Sequence, residues 1–296
     1  MHILITGGSG LIGSHLTRKL KEKGYEPAVL SRKKHSDTDT KTYLWDPGKN
    51  EIEKEAIDKA GYIIHLAGAN ISDKRWTRKR KQKIVDSRVE TAKLLFRKIS
   101  ESGTRPRAFI SASAVNYYGT LTSDTIFSED DPPSDDFLGK TCKKWEQSAL
   151  RFDKQGIRTV IIRTGVVISP EGGALKKMAG PVKLGLGAPI GSGKQYFPWI
   201  HIDDLCNIYI KAIEDTKMHG AYNAVAPDHK TNKNVMKTLA RVFKKPFWAP
   251  NVPSIVMKTI FGNMADVLLK GSRVSADKIK EAGYEFRFTN FKDAVS

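Results

Sequence analysis

The tightest constraint on this chain lies in its first dozen residues. Residues 2–6 (HILIT) form an apolar run, and Thr6-Gly7-Gly8-Ser9-Gly10-Leu11-Ile12-Gly13 follows at once, with Gly7, Gly10 and Gly13 three apart. A helical pattern starts there: Leu11, Ile12, His15, Leu16 and Leu20 share one face, and Gly24 ends it. Residues 27–31 (PAVLS) read as a second strand. Strand, glycine turn, helix and strand within about 30 residues make one βαβ unit. In that setting each glycine has a task. Gly7 permits the tight turn, Gly10 removes the Cβ that would bar a pyrophosphate, and Gly13 lets the helix pack closely on the sheet. Unpaired N–H groups and the positive end of the helix then face the phosphates. A glycine triplet alone is a weak signal, but this position after the first strand makes a dinucleotide-binding turn the expectation. Its contact residues are Thr6, Gly7, Gly8, Gly10, Leu11, Ile12 and Gly13.

The second strand ends in Ser31-Arg32-Lys33-Lys34. Sites that prefer NAD place an Asp or Glu near here, on the ribose 2′-hydroxyl. Arg32 can instead fork onto a 2′-phosphate and Ser31 can add a hydroxyl, so NADP(H) is the cofactor expected. Asp37 lies too far along the loop to be the first choice. His65-Leu66-Ala67-Gly68-Ala69 closes another strand; its small residues suit close approach to a ribose, while His65 itself reads as a satisfied strand-end histidine.

Further strands are expected at 41–46, 61–66, 107–113 and 157–163, with helices at Thr77–Ser102 and 136–154. The run at 61–66 (GYIIHL) is apolar throughout, as a strand buried on both faces requires. This alternation predicts an α/β chain: a Rossmann-type, doubly wound parallel sheet with a smaller C-terminal α+β substrate lobe. Residues 1–165 form the NADP-binding domain, to which some later segments return; residues 166–296 form the substrate lobe and a small C-terminal domain. Glycine and proline crowd 165–198, which reads as loop-rich, and helices are expected at 232–245 and 253–270.

The chain of 296 residues is 40% hydrophobic and 28% charged, as for an ordinary globular protein. No stretch approaches the ~20 apolar residues that span a bilayer, so no membrane partner is expected. The N-terminus lacks the features of a signal peptide. Cys142 and Cys206 form neither a CxxC nor a Cys/His cluster; a reducing cytoplasm is expected, without a disulfide framework or a metal site. The net charge of +18 is unusual and is densest at 74–83 (KRWTRKRKQK). No nucleic-acid reading motif accompanies it. It reads as a solvated basic face near an anionic cofactor or substrate, so nucleic acid is not the partner expected. A homodimer is allowed.

With these residues in hand the chain resembles the extended short-chain dehydrogenase/reductase superfamily, and within it the atypical epimerase-family branch of nucleotide-sugar epimerase-like proteins. The matching pieces are TGGSGLIG (6–13), SR (31–32), HLAGANI (65–71), KRW (74–76), SR (87–88), SASAVNYYG (111–119), DFLGKTCKKWE (136–146), RTGVVIS (163–169), GGAL (172–175) and GSGKQYFPWIHIDDL (191–205). RVSADKIKEAGYEF (273–286) resembles the small C-terminal domain of that branch. The resemblance implies cofactor contacts from Ser31, Arg32, Leu66, Ala67 and Arg88, and a small carbonyl or nucleotide-sugar substrate.

Working members of the superfamily move a proton with a Tyr-x-x-x-Lys pair, helped by a Ser or Thr that binds the substrate oxygen. Ser113 matches the serine. Aligned on Glu146, the helix 136–146 puts Leu138 at the tyrosine position and Cys142 at the lysine position. Neither can transfer a proton in that way. Tyr117 and Tyr118 are the nearest phenols, with packing against the pocket as their other reading; Ser113, Tyr117 and Tyr118 are the catalytic candidates. Two functions therefore stand: an NADP(H)-dependent epimerase-like oxidoreductase, or a catalytically silent NADP(H) sensor. In the lobe, Lys176 and Lys194 could meet a diphosphate and the aromatics of 196–199 could stack, while His201 and Asp203 read as a structural tie.

Overall fold

The computed structural model describes residues 1–34 and 39–296; Asp37 lies outside the described residues. The strands are β1 (His2–Thr6), β2 (Glu26–Ser31), β3 (Lys41–Asp46), β4 (Glu51–Ile52), β5 (Tyr62–His65), β6 (Ala108–Ala114), β7 (Ile126–Phe127), β8 (Arg158–Thr164), β9 (Val166–Ser169), β10 (Trp199–His201), β11 (Gly220–Ala224) and β12 (Arg273–Val274). The helices are α1 (Leu11–Glu22), α2 (Lys54–Asp58), α3 (Arg78–Ser102), α4 (Phe137–Asp153), α5 (Gly173–Lys183), α6 (Ile202–Glu214), α7 (Asn232–Val242), α8 (Ser254–Phe261), α9 (Ala265–Leu269) and α10 (Asp277–Glu281).

Eight strands form one sheet in the order β11-β8-β6-β5-β1-β2-β3-β4. Every pairing is parallel except the short β3–β4 edge. The order reverses between β1 and β5, which opens a crevice at the carboxyl edge there. Alternation along each strand feeds two cores. Ile3, Ile5, Ile64 and Ile110 meet Leu16 and Leu20 of α1 and Leu205 and Tyr209 of α6. Leu4, Ile63 and Phe109 meet Leu94, Leu95 and Ile99 of α3 and Phe152 of α4. Helices thus cover both faces, which is the doubly wound arrangement the sequence predicts.

A third core, with Trp199, Phe291, Val182 and Leu239, draws on residues 168–295 alone, within the stretch expected to form the lobe. The lobe departs from expectation in two places. The stretch 165–198 is less irregular than expected, since it carries β9 and α5. The expected helix at 253–270 is broken: α8 stops before Gly262, whose φ of 58° is left-handed, and α9 resumes at Ala265. The chain also returns to the main sheet through β11, which pairs with β8.

Candidate functional site

Register sets the site. Thr6 lies level with Leu30 of β2 and His65 of β5, so Gly7, Ser31 and Leu66 leave the sheet side by side at the switch point. Gly7 has φ 72°, and a Cβ there would lie 2.9 Å from the Leu66 carbonyl. A Cβ on Gly13 would lie 2.3 Å from the Gly7 oxygen, so α1 can sit this close to β1 only with glycine. A Cβ on Gly8 would run into the Val29 side chain of β2. Gly10 meets little beyond the Gly7 oxygen at 3.3 Å. It is the N-cap of α1, with no side-chain cap and no acid in the first turn. The amides of Leu11, Ile12 and Gly13 precede the first α-helical bond, from Ser14 N–H to the Gly10 oxygen. Among the described residues these three donors have no partner, so the turn is a cradle at the positive end of a helix, and it suits a diphosphate.

Thr6 is fully buried and is used internally. Its hydroxyl accepts from Ala67 N–H at 3.1 Å and pairs with His65 Nδ1 at 2.8 Å. Nε2 of His65 lies 3.3 Å from the Thr91 hydroxyl. Burial pushes the His65 pKa down to about 4, so the ring is neutral at pH 7 and serves as a buried strut. Ser31 ends β2 and accepts from Lys33 N–H, and Arg32 follows it as an exposed side chain.

Arg88 lies on α3, with its guanidinium against Gly68 and 5.0 Å from the Trp145 ring. Nη1 donates to the carbonyl oxygens of Ala69 and Ile84. Burial, the largest influence, pushes its pKa down, and the described residues show no carboxylate paired with it. A half-buried cation without a counter-charge is costly, and an anionic ligand would relieve it. The glycine turn thus packs on Leu66 and Ala67, and Arg88 lies against the next residue, Gly68.

Of the catalytic candidates, Ser113 lies on β6, level with Arg163 of β8, which is level in turn with Asn223 of β11, while Tyr117 and Tyr118 follow β6 in the 3-10 turn 115–118. Ser113 donates to Glu146 Oε1 at 2.6 Å. Arg163 donates to both Glu146 oxygens, at 3.0 and 2.9 Å. It also donates to the Tyr118 hydroxyl at 2.9 Å, which in turn donates to Asn223 Oδ1 at 2.7 Å. Ser113 and Tyr118 are each 3% exposed. Tyr117 is half-buried, its ring 3.6 Å from the Arg163 guanidinium carbon. Burial raises the pKa of both phenols. Leu138 and Cys142 are buried on α4, and desolvation raises the Cys142 thiol to about 12.

Glu146, Arg163 and Asn223 are polar members of this site that sequence reasoning did not assign to it. One signal was legible: an arginine ending the apolar run VIIR in β8 needs a buried acid. In the lobe, Trp199 lies wholly in the core, and Tyr196 donates to Asp124. Asp203 accepts from His15 at 2.8 Å and lies 2.9 Å from Lys19 Nζ, tying α6 to α1. Desolvation works to raise its pKa, but Lys19 and His15 hold it down to about 2.

Residues 3–225 match the NAD dependent epimerase/dehydratase family, and residues 252–296 match a domain of unknown function, DUF1731. The human Epimerase family protein SDR39U1 is 36% identical over 300 residues, covering 100% of this chain and 98% of its own. Its structure with NADPH aligns at a TM-score of 0.89 with 34% identity, over 100% of this chain and 98% of that one. Epimerase family protein YfhF of Bacillus subtilis is 35% identical, with 100% and 97% covered. A nucleoside-diphosphate sugar epimerase from Corynebacterium glutamicum aligns at a TM-score of 0.81 with 32% identity, over 100% of this chain and 57% of that one.

Proposed function

The chain belongs to the NAD dependent epimerase/dehydratase family, and from that premise we propose that it is an NADP(H)-binding, epimerase-like oxidoreductase acting on a small carbonyl or nucleotide-sugar substrate. One observation carries the reading: at the switch point the uncapped N-terminus of α1 follows a turn packed on Leu66 and Ala67, and the Arg88 guanidinium, paired with no carboxylate among the described residues, lies against the next residue, Gly68. In this assignment the amides of Leu11, Ile12 and Gly13 hold the diphosphate, and Gly10, whose own N–H donates to the Gly7 oxygen, gives it room. Ser31 and Arg32 take the 2′-phosphate, Leu66 and Ala67 lie along a ribose, and Arg88 meets an anionic or ribose oxygen. Thr6 acts through the backbone, because its hydroxyl already holds Ala67 and His65. Support for the dinucleotide comes from the human relative's structure with NADPH, and support for the substrate class from the Corynebacterium protein's description. The buried thiols of Cys142 and Cys206 fit a reducing cytoplasm.

When bound, the nicotinamide supplies hydride chemistry. The protein's part is to polarise the oxygen of the reacting carbon. Of the three candidates, Tyr117 is the one that is not buried, and we assign the substrate contact to it. Its raised pKa keeps the phenol protonated at neutral pH, so it donates to a carbonyl oxygen. Ser113 and Tyr118 hold Arg163 and Glu146 beneath it.

The second reading, a silent NADP(H) sensor, draws on a specific observation. The Tyr and Lys positions hold buried Leu138 and Cys142, and the hydroxyls of Ser113 and Tyr118 are spent inside the protein. Turnover of purified protein against a panel of carbonyls and sugar nucleotides separates the two. Tight NADPH binding with no cofactor oxidation and no epimer exchange selects the sensor. Calorimetry tests the shared premise. Arg32→Asp is expected to weaken NADPH about 10- to 100-fold, the worth of a charge-assisted contact, and to leave NADH nearly unchanged. An equal loss for both removes Arg32 as the selector.

A further inference from the structure

Two stretches of the lobe contain no carboxylate. Residues 172–202 carry four lysines, and residues 229–265 carry six lysines and one arginine, with no Asp or Glu in either. The two pack together: Lys183 lies 5.0 Å from the Phe243 ring, and Ile190 bridges to Val252. Six of the ten large apolar side chains that stand exposed in the described structure belong to the same stretches. Leu184 is 77% exposed, Trp248 69% and Ile255 71%, and Leu186, Val256 and Ile260 complete the set. Helix α8 (SIVMKTIF) buries only Met257. Its far end is fixed by Arg75, which donates to the Thr259 carbonyl at 2.7 Å, so the cationic run 74–83 begins beside it. Isolated exposed leucines are ordinary; an apolar helix lying uncovered six residues beyond an exposed indole is not.

Charge and apolarity together select the occupant. Nucleic acid would satisfy the cations but offers nothing to Ile255, Ile260 and Leu184. A second copy of the chain, set face to face, would bring cation onto cation. An anionic bilayer meets both needs: aliphatic and indole side chains enter the boundary between headgroups and acyl chains, and lysines lie among the phosphates. We propose that this lobe docks on anionic phospholipid surfaces through Trp248, the 184–186 loop and α8. Lys183, Lys244, Lys245 and Lys258 supply the attraction. Since no helix among the described residues is long and apolar enough to cross a membrane, the contact is with the surface.

The test is co-sedimentation of the full-length protein with vesicles of phosphatidylcholine and phosphatidylglycerol in equal parts, against vesicles of phosphatidylcholine alone. Binding is expected to the anionic vesicles only and to weaken with salt. Lys244→Glu with Lys245→Glu should lower partitioning by an order of magnitude or more, at about fivefold for each lysine lost. Trp248→Ser with Ile255→Ser should lower it comparably at constant charge. All four residues are surface positions, and unchanged thermal unfolding checks that the variants fold. Failure to bind anionic vesicles at low salt overturns the proposal. So does binding that ignores Trp248→Ser with Ile255→Ser, which would reduce the effect to net charge. Preferential capture by duplex DNA in competition, or a dimer that those two serines dissolve, would assign the face to another partner and equally overturn it.

Discussion

Alanine at Gly10 and alanine at Gly13 should fail in different ways. At Gly13 the new methyl would lie 2.3 Å from the Gly7 oxygen and 2.6 Å from the Gly8 Cα, where ordinary contact begins at 3.4 Å, so α1 must retreat by about 1 Å. Both obstacles are backbone atoms, and no side chain can swing away. Overpacking of this kind costs ~1–3 kcal/mol, and alanine's advantage over glycine inside a helix returns ~1 kcal/mol. The difference is about 0–2 kcal/mol, and a loss in the upper half of that range is expected because neither backbone obstacle can move aside. At Gly10 the methyl meets only the Gly7 oxygen, at 3.3 Å. The stability cost is that of alanine at an N-cap, about 0.5–1 kcal/mol, but the methyl occupies the mouth of the cradle. NADPH affinity should fall by at least ~10-fold, or ~1.4 kcal/mol. Urea unfolding of the free protein and calorimetric titration with NADPH measure the two quantities. Wild-type affinity in Gly10→Ala would show that no diphosphate lies over this turn. A wild-type urea midpoint in Gly13→Ala would refute the packing argument.

Two further outcomes follow from buried groups. Glu146→Gln leaves the Arg163 guanidinium, 3% exposed, without its carboxylate; a loss of about 3–5 kcal/mol is expected by urea unfolding, and a loss below ~1 kcal/mol would mean that water reaches the pair. His65 has a folded pKa of about 4 against an unfolded value of 6.5. The unfolded state therefore binds the extra proton between these values: the contribution is intact above pH 6.5 and is lost as the pH falls towards 4, by about 3 kcal/mol in all. The urea midpoint should drop over that window more steeply than in His65→Gln, and equal slopes would show that the ring is not buried neutral.

The sheet was legible because its strands are local signals. The strand Lys41–Asp46 alternates and buries one face, whereas the apolar runs at 2–6 and 61–66 are each closed by glycine or a small residue and return as His2–Thr6 and Tyr62–His65. Two-sided burial leaves such runs no other use. Helix α8 shows the opposite case. Its apolar pattern resumes at Met264 after Gly262-Asn263, and the left-handed backbone at Gly262, held beside Arg75 from a distant segment, turns that short interruption into a break. The glycine cradle was legible for the same local reason as the strands. The Ser113–Glu146–Arg163–Tyr118–Asn223 network was not, because its members come from five elements, three of them strands whose register only the folded sheet sets. The sequence named Ser113 and Tyr118 as candidates, and burial gave their hydroxyls internal partners.

That network also bears on whether the missing proton-transfer pair could be restored. Leu138 and Cys142 lie one helical turn apart on α4, so Leu138→Tyr with Cys142→Lys rebuilds the pattern in sequence. The surroundings oppose it in space. The Cys142 thiol sits among Ser113, Glu146 and Arg88. Glu146 is the acid there, and both its oxygens are already held by Arg163. A buried ammonium at this position would face the uncompensated Arg88 guanidinium with no carboxylate to share, and like charges in a desolvated site depress a lysine pKa. The double variant is expected to unfold at lower urea than the parent and to gain no turnover. Changing Arg88→Met in addition should recover part of the lost stability while weakening NADPH. If Leu138→Tyr with Cys142→Lys alone is both stable and active, the charge at this site is not arranged as the Arg163–Glu146 geometry implies.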